Sequence, residues 1–208
     1  EDEDRGARAA NVLIEDRNGT IWCGTMKHLY RLERNENRFK LVPVDLGTHE
    51  VFILDLLEDR GGSLWIGSFS GLYCLRADGR LEHFTQRDGL PDETIQDLLE
   101  DHQGRLWAAT RNGGLFRFAA DGPSAKMVVA EGYNRENGLP TDWVFQLFET
   151  TDHRIWVATN SGVVEFFPEA ERVDERFRTY TPRNGLTFRE ITALNQDMSG
   201  NLWLGTNV

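Results

Sequence analysis

The chain has 208 residues, of which 39% are hydrophobic and 11% aromatic, enough for one or two globular domains with sizeable cores. Its net charge is −11, from 23 Lys plus Arg against 34 Asp plus Glu, so we expect no nucleic-acid partner, because phosphate-binding surfaces are basic. No apolar run reaches the length of a membrane helix, and the acidic residues 1–4 are the reverse of a signal peptide's basic start. We expect no membrane contact by this segment.

A short motif recurs five times along the chain. It has the form Asp-x-x-Gly-x-Leu/Ile-Trp, and its tryptophans are Trp22, Trp65, Trp107, Trp156 and Trp203. Successive copies are 43, 42, 49 and 47 residues apart. A period of roughly 40 to 50 residues is typical of four-stranded propeller blades. The sequence therefore predicts blades and not helical repeats.

The motif residues predict a tight hairpin followed by a buried strand. The aspartate bonds its own backbone two residues on, and the glycine takes the positive φ that closes the turn. The tryptophan ring fills the space between neighbouring sheets, and a small residue two positions later lets the next blade approach. The fourth copy has Thr150 for the aspartate and His153 for the glycine, and histidine is one of the residues that tolerates positive φ.

A second landmark has the same phase. Glycines lie 18 residues before four of the motif tryptophans, at Gly47, Gly89, Gly138 and Gly185. Three of them follow Asp or Asn and precede Leu, a pattern typical of turns. We interpret these turns as the connections from one blade to the next.

In chain order, the landmarks predict an all-β fold, a β-propeller of four-stranded antiparallel blades. Four blades span about 10–45, 51–87, 94–135 and 143–182, and residues 190–208 supply about half of a fifth. The segment 77–80, Ala-Asp-Gly-Arg, predicts a hairpin turn in the second blade. Residues 1–208 are expected to form a single propeller fragment of a longer protein. Half a blade leaves open strand edges, so self-association through these edges is a further expectation.

Several segments resemble the two-component regulator propeller repeat, which is found in periplasmic sensor regions of bacterial hybrid histidine kinases. The best matches are residues 58–68, 71–73 and 88–91. The resemblance implies a propeller in the periplasm, or otherwise outside the cytoplasmic membrane, that senses a small-molecule ligand, often a breakdown product of a polysaccharide. It does not identify the ligand. Kinase, receiver and DNA-binding domains are not expected within these residues, so the signalling output is expected elsewhere.

Propeller ligands usually bind on the loops at one end of the blades. The predicted ligand-binding residues on those loops are Trp143, Arg111, Asn160, Phe69, His28 and Arg189. Trp143 is the sixth tryptophan and lies outside the motif, so its ring is a candidate for stacking on a sugar, with Arg111 or Arg189 donating to a carboxylate or to hydroxyls. The alternative is that Trp143 packs at the top of its inner strand.

Two other functions remain open. One is a propeller hydrolase or lyase that acts on a glycan or a macrocycle, since the motif turn is similar to the Asp-box of sialidases and since some antibiotic lyases are propellers. The other is a scaffold that binds proteins through its blade edges. No nucleophilic Tyr with its Glu, arginine cluster or Ser/His/Asp set can be placed on one face, so we predict no catalytic residues and no cofactor.

The remaining polar residues predict structural roles. The histidines, His28, His49, His83, His102 and His153, lack the close spacings of a zinc site, so no metal site is predicted. Cys23 and Cys74 are expected to be buried free thiols, with a disulfide as the alternative. Asp55, Asp97 and Gln146 occupy matching positions of inner strands, and we expect them to line a polar, water-filled channel.

Overall fold

The computed structural model describes residues 9–35, 38–48, 50–121 and 126–207. His49 lies outside these residues. The chain divides into two compact units, residues 1–95 and 96–208. Within each sheet the strands follow one another in chain order. Among the described residues, no helix is long and apolar enough to cross a membrane.

The first unit contains two four-stranded antiparallel sheets. The first consists of β1 (Ala10–Glu15), β2 (Ile21–Thr25), β3 (Leu29–Asn35) and β4 (Arg38–Val44), and the second of β5 (Ile53–Glu58), β6 (Leu64–Ser68), β7 (Gly71–Leu75) and β8 (Leu81–Phe84). Every residue of β6 is buried, as expected for a strand that is covered on both faces.

The second unit contains two more four-stranded sheets and one two-stranded sheet. The third sheet consists of β9 (Ile95–Glu100), β10 (Leu106–Thr110), β11 (Leu115–Asp121) and β12 (Lys126–Tyr133). The fourth consists of β13 (Val144–Glu149), β14 (Ile155–Thr159), β15 (Gly162–Phe166) and β16 (Phe177–Tyr180). The two-stranded sheet consists of β17 (Ala193–Gln196) and β18 (Leu202–Gly205). Over the described residues, the predicted four blades and half of a fifth are confirmed.

Among the described residues, short 3-10 turns join the strands at Gln86–Asp88, Arg135–Asn137, Val173–Glu175 and Pro182–Asn184. Three of them are the predicted connections between blades. Each begins with a capping box, at Thr85, Asn134 or Thr181, and ends on a glycine of positive φ, 97° at Gly89, 112° at Gly138 and 121° at Gly185. A glycine is needed there because a side chain disfavours this conformation.

In four of the five motif hairpins, a single aspartate carboxylate organises the turn. Oδ1 of Asp59 accepts a hydrogen bond from the Ser63 amide at 2.9 Å, and Oδ2 accepts one from Trp65 Nε1 at 2.7 Å. The carboxylate-to-indole bond recurs in three other copies, at 2.9 Å between Asp16 and Trp22, 2.8 Å between Asp101 and Trp107 and 3.0 Å between Asp197 and Trp203. The predicted turn role is confirmed, and the bond to the ring is an addition that the sequence did not predict.

The fourth hairpin closes without that carboxylate. Oγ1 of Thr150 accepts from the Arg154 amide at 3.2 Å and lies 2.6 Å from Oδ1 of Asp152. His153 takes the position of the glycine with a φ of 64°, and among the described residues it is the one non-glycine residue with positive φ. The predicted tolerance of histidine for this conformation is confirmed.

The motif tryptophans differ in burial. Trp65 and Trp107 are each 1% exposed, and the Trp107 ring meets Phe166 of the next sheet edge-on, with the ring centroids 5.2 Å apart. Trp22 and Trp156 are half-buried. The prediction of a core position is wrong for Trp203, which is 63% exposed, because its sheet has only two strands among the described residues.

The small residue after the tryptophan allows close packing, as predicted. A Cβ built on Gly24 would lie 2.5 Å from Cγ2 of Ile53 in the following sheet. At Gly67 it would lie 3.0 Å from the carbonyl oxygen of Ile95. Both distances are shorter than carbon contacts in well-packed cores, which are about 3.5–4.0 Å.

The residue that precedes the motif aspartate connects neighbouring sheets. In the first unit, Oε2 of Glu58 accepts from the Arg17 amide at 2.8 Å, and Oε1 pairs with Arg17 Nε at 2.8 Å. In the second unit, Oε2 of Glu149 accepts from the amide of His102 at 2.8 Å. Gln196 makes the equivalent bond to Thr151 at 2.8 Å. In these three cases a repeat anchors the turn of the repeat before it.

Inner-strand side chains make a second set of connections in the second unit. Oδ2 of Asp97 accepts from the amide of Leu147 at 2.7 Å, and Oε1 of Gln146 accepts from the amide of Leu194 at 2.6 Å. These bonds tie one inner strand to the next. The sequence predicted Asp97 and Gln146 as channel-lining residues, and it did not predict that they connect neighbouring strands.

The two cysteines are free and buried, as predicted. Burial raises the pKa of Cys23, and burial is also the main cause that raises the pKa of Cys74 to about 12. Because the thiolate is the nucleophile, Cys74 is an unreactive packing residue.

Asp101 and Asp197 provide a matched test of the motif carboxylate. Each carboxylate accepts hydrogen bonds from two backbone amides, from the side chain four residues later and from the indole of its tryptophan. The two residues differ in burial, because Asp101 is fully buried whereas Asp197 is partly exposed. We expect Asp101→Ala to lower the free energy of unfolding by about 3 kcal/mol, since unpaired buried donors cost about 1–3 kcal/mol each. Asp197→Ala should lower it less. Equal urea midpoints for the two variants would contradict this account.

Acid should weaken the fold through the same carboxylates. Hydrogen bonds from the Asn201 side chain and the Trp203 indole lower the pKa of Asp197 to about 2. Burial opposes ionisation of Asp101, but bonds from Trp107 and Arg105 outweigh it and lower its pKa. Because unfolded aspartate has a pKa of about 3.9, this stabilisation is complete above about pH 4 and is lost as pH falls through the folded-state values. The melting temperature, measured from pH 5 to pH 2, should fall less steeply in Asp197→Asn; an unchanged slope would refute this.

Gly24→Ala should destabilise the first unit. The added methyl group meets Ile53 Cγ2 and Val12 Cγ1 at 2.5 and 2.7 Å, and overpacking of this kind costs about 1–3 kcal/mol. Gly132→Ala is the matched control, because a Cβ there has nothing within 4 Å and the residue lacks positive φ. Chemical denaturation should separate the two variants, and a neutral Gly24→Ala would show that the sheets can move apart freely.

Candidate functional site

Four of the six predicted ligand residues lie on loops of the second unit. Arg111 is in the loop between β10 and β11, Asn160 in the turn between β14 and β15, and Arg189 in the segment between β16 and β17. Trp143 directly precedes β13. Val144 pairs with Thr159, so the antiparallel register brings Trp143 and Asn160 to the same end of their sheet.

Arg111 and Trp143 are in direct contact. The Cζ atom of Arg111 lies 4.9 Å from the centre of the Trp143 ring, which is within the range of a cation–π interaction. The ring of Phe145 lies 5.1 Å from the Trp143 ring, centre to centre. Arg111 itself is exposed, so its stacked guanidinium keeps N–H groups available to solvent or to a ligand.

The surroundings of Trp143 leave both of its predicted roles open. The residue is half-buried, and its backbone oxygen accepts from the Asn160 amide at 3.4 Å. Its indole Nε1 is buried and has no hydrogen-bond partner among the described residues, which is rare for a buried N–H group.

A groove of about 480 Å³ lies next to Asn160, whose neighbour Ser161 is part of its lining. Its lining residues are polar or proline, and they are Pro140, Ser161, Thr181, Pro182, Arg183 and Arg189. Nη2 of Arg189 lies 3.4 Å from Oγ of Ser161, which in turn lies 3.3 Å from the side-chain oxygen of Asn160. Both charged residues of the lining are arginines, so the groove is a cationic spot on a chain of net charge −11.

The other two predicted residues lie in the first unit. The ring of His28 meets Tyr30 edge-on with the ring centres 5.9 Å apart. Phe69 is 42% exposed and meets Phe52 edge-on at 4.6 Å. Each therefore packs on an aromatic neighbour of its own unit, and neither contributes to the groove.

Sequence reasoning missed five groove residues, Pro140, Ser161, Thr181, Pro182 and Arg183. Four of them lie in the predicted turns between blades, near the landmark glycines Gly138 and Gly185, and Ser161 lies in the turn between β14 and β15. The turn pattern was recognised as a connection between blades, and its charged residue was not considered as a ligand contact. The proximity of Arg183 to Arg189 across the turn was the available signal.

Comparison with family models supports the repeat assignment. The two component regulator propeller model matches residues 89–112, 138–161 and 185–208. Each matched segment begins at a landmark glycine and ends a few residues after a motif tryptophan, so the two landmarks belong to one repeat. The resemblance found in the sequence is confirmed for these three segments, which match the two component regulator propeller repeat. No curated protein matches the chain.

Solved structures share the fold. Two extracellular domains of hybrid two component systems from B. thetaiotaomicron match with TM-scores of 0.77 and 0.75, at 22% and 21% identity, over 94% of this chain. This chain covers only 26% and 28% of those domains. Virginiamycin B lyase from Staphylococcus aureus matches with a TM-score of 0.66 and 13% identity, over 92% of this chain and 61% of the lyase chain. At these identities the likeness establishes the β-propeller fold.

Proposed function

We propose that this chain is part of the ligand-sensing propeller of a bacterial two-component regulator, located outside the cytoplasm, and that it binds an acidic oligosaccharide or a similar polar small molecule. The repeat family and the two extracellular sensor domains of the same fold support the regulator assignment. The observation that carries the ligand assignment is the groove that Arg183 and Arg189 line.

The groove has the chemistry of a saccharide site. Sugar rings present apolar faces that stack on aromatic rings, and their hydroxyl groups need dense hydrogen-bonding partners. Ser161 and Thr181 supply hydroxyl groups in the groove. Asn160 is hydrogen-bonded to Ser161 and to the backbone oxygen of Trp143, and we assign the stacking role to the Trp143 ring. The groove volume of about 480 Å³ lies within the usual range for small-molecule sites.

The two arginines favour a negatively charged ligand. Guanidinium groups bind carboxylates through two parallel hydrogen bonds, and Arg183 and Arg189 line the same groove. Both are exposed, so the gain from charge is moderate and depends on salt. An oligosaccharide that carries a uronic-acid carboxylate meets these requirements better than a neutral one.

A sensor fits the residues better than an enzyme does. The lyase of similar fold keeps the second reading open, but fold alone does not define chemistry, and the groove lining contains neither a carboxylate nor a histidine to transfer a proton. A bound ligand would instead increase the population of the propeller or dimer arrangement to which it binds more tightly. Pairing through open strand edges, such as that of β18, is the corresponding self-association route.

The proposal is tested with a panel of neutral and acidic oligosaccharides, measured by thermal shift and calorimetry at low and at physiological salt. An acidic oligosaccharide should raise the melting temperature, because a ligand that binds the folded state stabilises it by an amount that grows with the logarithm of its concentration relative to Kd. Arg189→Ala and Trp143→Ala should each weaken binding by roughly tenfold or more, as loss of a central contact costs more than about 1 kcal/mol.

Arg87→Ala is the matched control. Arg87 holds the same place in its 3-10 turn as Arg183 does, but in the first unit, so its loss should leave binding unchanged. Equal weakening by Arg87→Ala and Arg189→Ala would show that only net charge matters. Turnover of any panel member would overturn the sensor reading in favour of a hydrolase or lyase.

A further inference from the structure

We propose that His102, Glu149 and His153 form a zinc-binding site at the motif-turn end of the third and fourth sheets. One ligand atom from each residue lies within 4.8 Å of the other two. The sequence predicted no metal site because the histidines lie 51 residues apart along the chain. The fold removes this separation.

The repeat register explains why these residues meet. In each of the three cases described above, the residue before the motif position of one repeat accepts a hydrogen bond from a backbone amide in the turn of the preceding repeat. Here the acceptor is Glu149, and the amide belongs to His102, the residue after Asp101. The fourth repeat also places His153 where the other copies have glycine. Both imidazoles are thereby brought to a single carboxylate.

The distances suit a small coordination sphere. Nδ1 of His102 lies 2.5 Å and Nδ1 of His153 lies 3.9 Å from Oε1 of Glu149. In a tetrahedral zinc site, with bonds of about 2.0–2.2 Å, neighbouring ligand atoms are about 3.3 Å apart. The two observed distances lie on either side of that value, so small side-chain rotations would complete the geometry.

Glu149 is prepared for a cation. Its side chain is 13% exposed, and its Oε2 is fixed by the His102 amide at 2.8 Å, which leaves Oε1 directed to the imidazoles. Among the described residues, no Lys or Arg forms an ion pair with Glu149. Glu58, at the equivalent position of the second repeat, is paired with Arg17 at 2.8 Å. The third and fourth repeats thus replace a fixed cation by two metal-binding side chains.

The residue types select zinc. Two imidazole nitrogens and one carboxylate suit Zn²⁺ better than Mg²⁺ or Ca²⁺, which prefer oxygen ligands. Three protein ligands leave a fourth position for water or a small ligand. A cavity of about 170 Å³, lined in part by His102, His153, Phe166 and Pro168, adjoins that position. The metal would therefore be open to a ligand on the cavity side.

The decisive variant is His153→Gly. It removes one ligand and restores the residue that the other four repeats have at this positive-φ position, Gly19, Gly62, Gly104 and Gly200, so the hairpin should fold at least as well as before. His102→Gln removes the second imidazole. His83→Gln is the matched control, since His83 is exposed, bonds the Ser70 oxygen and stacks on Tyr73 in the first unit.

The experiment uses the full chain without a histidine tag, stripped of metal, and titrates Zn²⁺ alone by calorimetry. We expect one Zn²⁺ per chain. Binding should be at least tenfold weaker in His153→Gly and in His102→Gln, since even loss of a residue that only supports a metal ligand weakens metal binding by about 10–100-fold. Binding should be unchanged in His83→Gln. Co²⁺ in place of Zn²⁺ should give the visible absorption of a tetrahedral site, and excess Ca²⁺ should not compete.

Two results would overturn the proposal. One is Zn²⁺ binding that is equally strong in the original chain and in His153→Gly, which would place the metal elsewhere. The other is displacement of Zn²⁺ by Ca²⁺ at similar concentration, which would indicate an oxygen-ligand site. If the original chain shows no 1:1 binding, the contact between His102 and Glu149 is only a structural hydrogen bond.

Discussion

The carboxylate of the motif aspartate is the constraint on which the repeats depend. In four copies it accepts bonds from the turn amides and from the indole of its own tryptophan, so a single group sets both the hairpin and the orientation of the ring. The ring then packs towards the next sheet, as Trp107 does on Phe166. The glutamate or glutamine before the motif position connects its own repeat to the turn of the preceding repeat. Local geometry and the contact between sheets therefore follow from the same few residues.

Because so few residues form the turn, the sequence can change there only if other residues take over their hydrogen bonds. A repeat that loses its aspartate must close its turn by other means, and the fourth repeat does so with Thr150 and Asp152. It also carries a histidine in a conformation that glycine adopts more readily. Local exceptions of this kind tend to occur at functional sites. The same repeat contributes two of the three groups of the proposed zinc site.

The loops at the ends of the strands opposite the motif turns have fewer structural roles. The loops there need only reverse the chain or lead to the next sheet, and three capped turns do this with their backbones and short polar side chains. The arginines of the proposed site lie on these loops: Arg111 stacks on Trp143, and Arg183 and Arg189 line one groove with Ser161. Structural residues lie at the motif turns and candidate recognition residues on the loops, as is common where a rigid scaffold presents binding loops.

The sequence by itself determined the strand order, the hairpins, the connecting turns and the repeat family, because each depends on residues a few positions apart that recur at a regular period. It also predicted the close approach at Gly24 and the positive φ at His153. Only the tertiary structure decided the exposure of Trp203, the stacking of Arg111 on Trp143 and the meeting of His102 with His153. These outcomes depend on which sheet lies next to which side chain. Distances between neighbouring repeats are set by packing and register, and a single sequence does not display them.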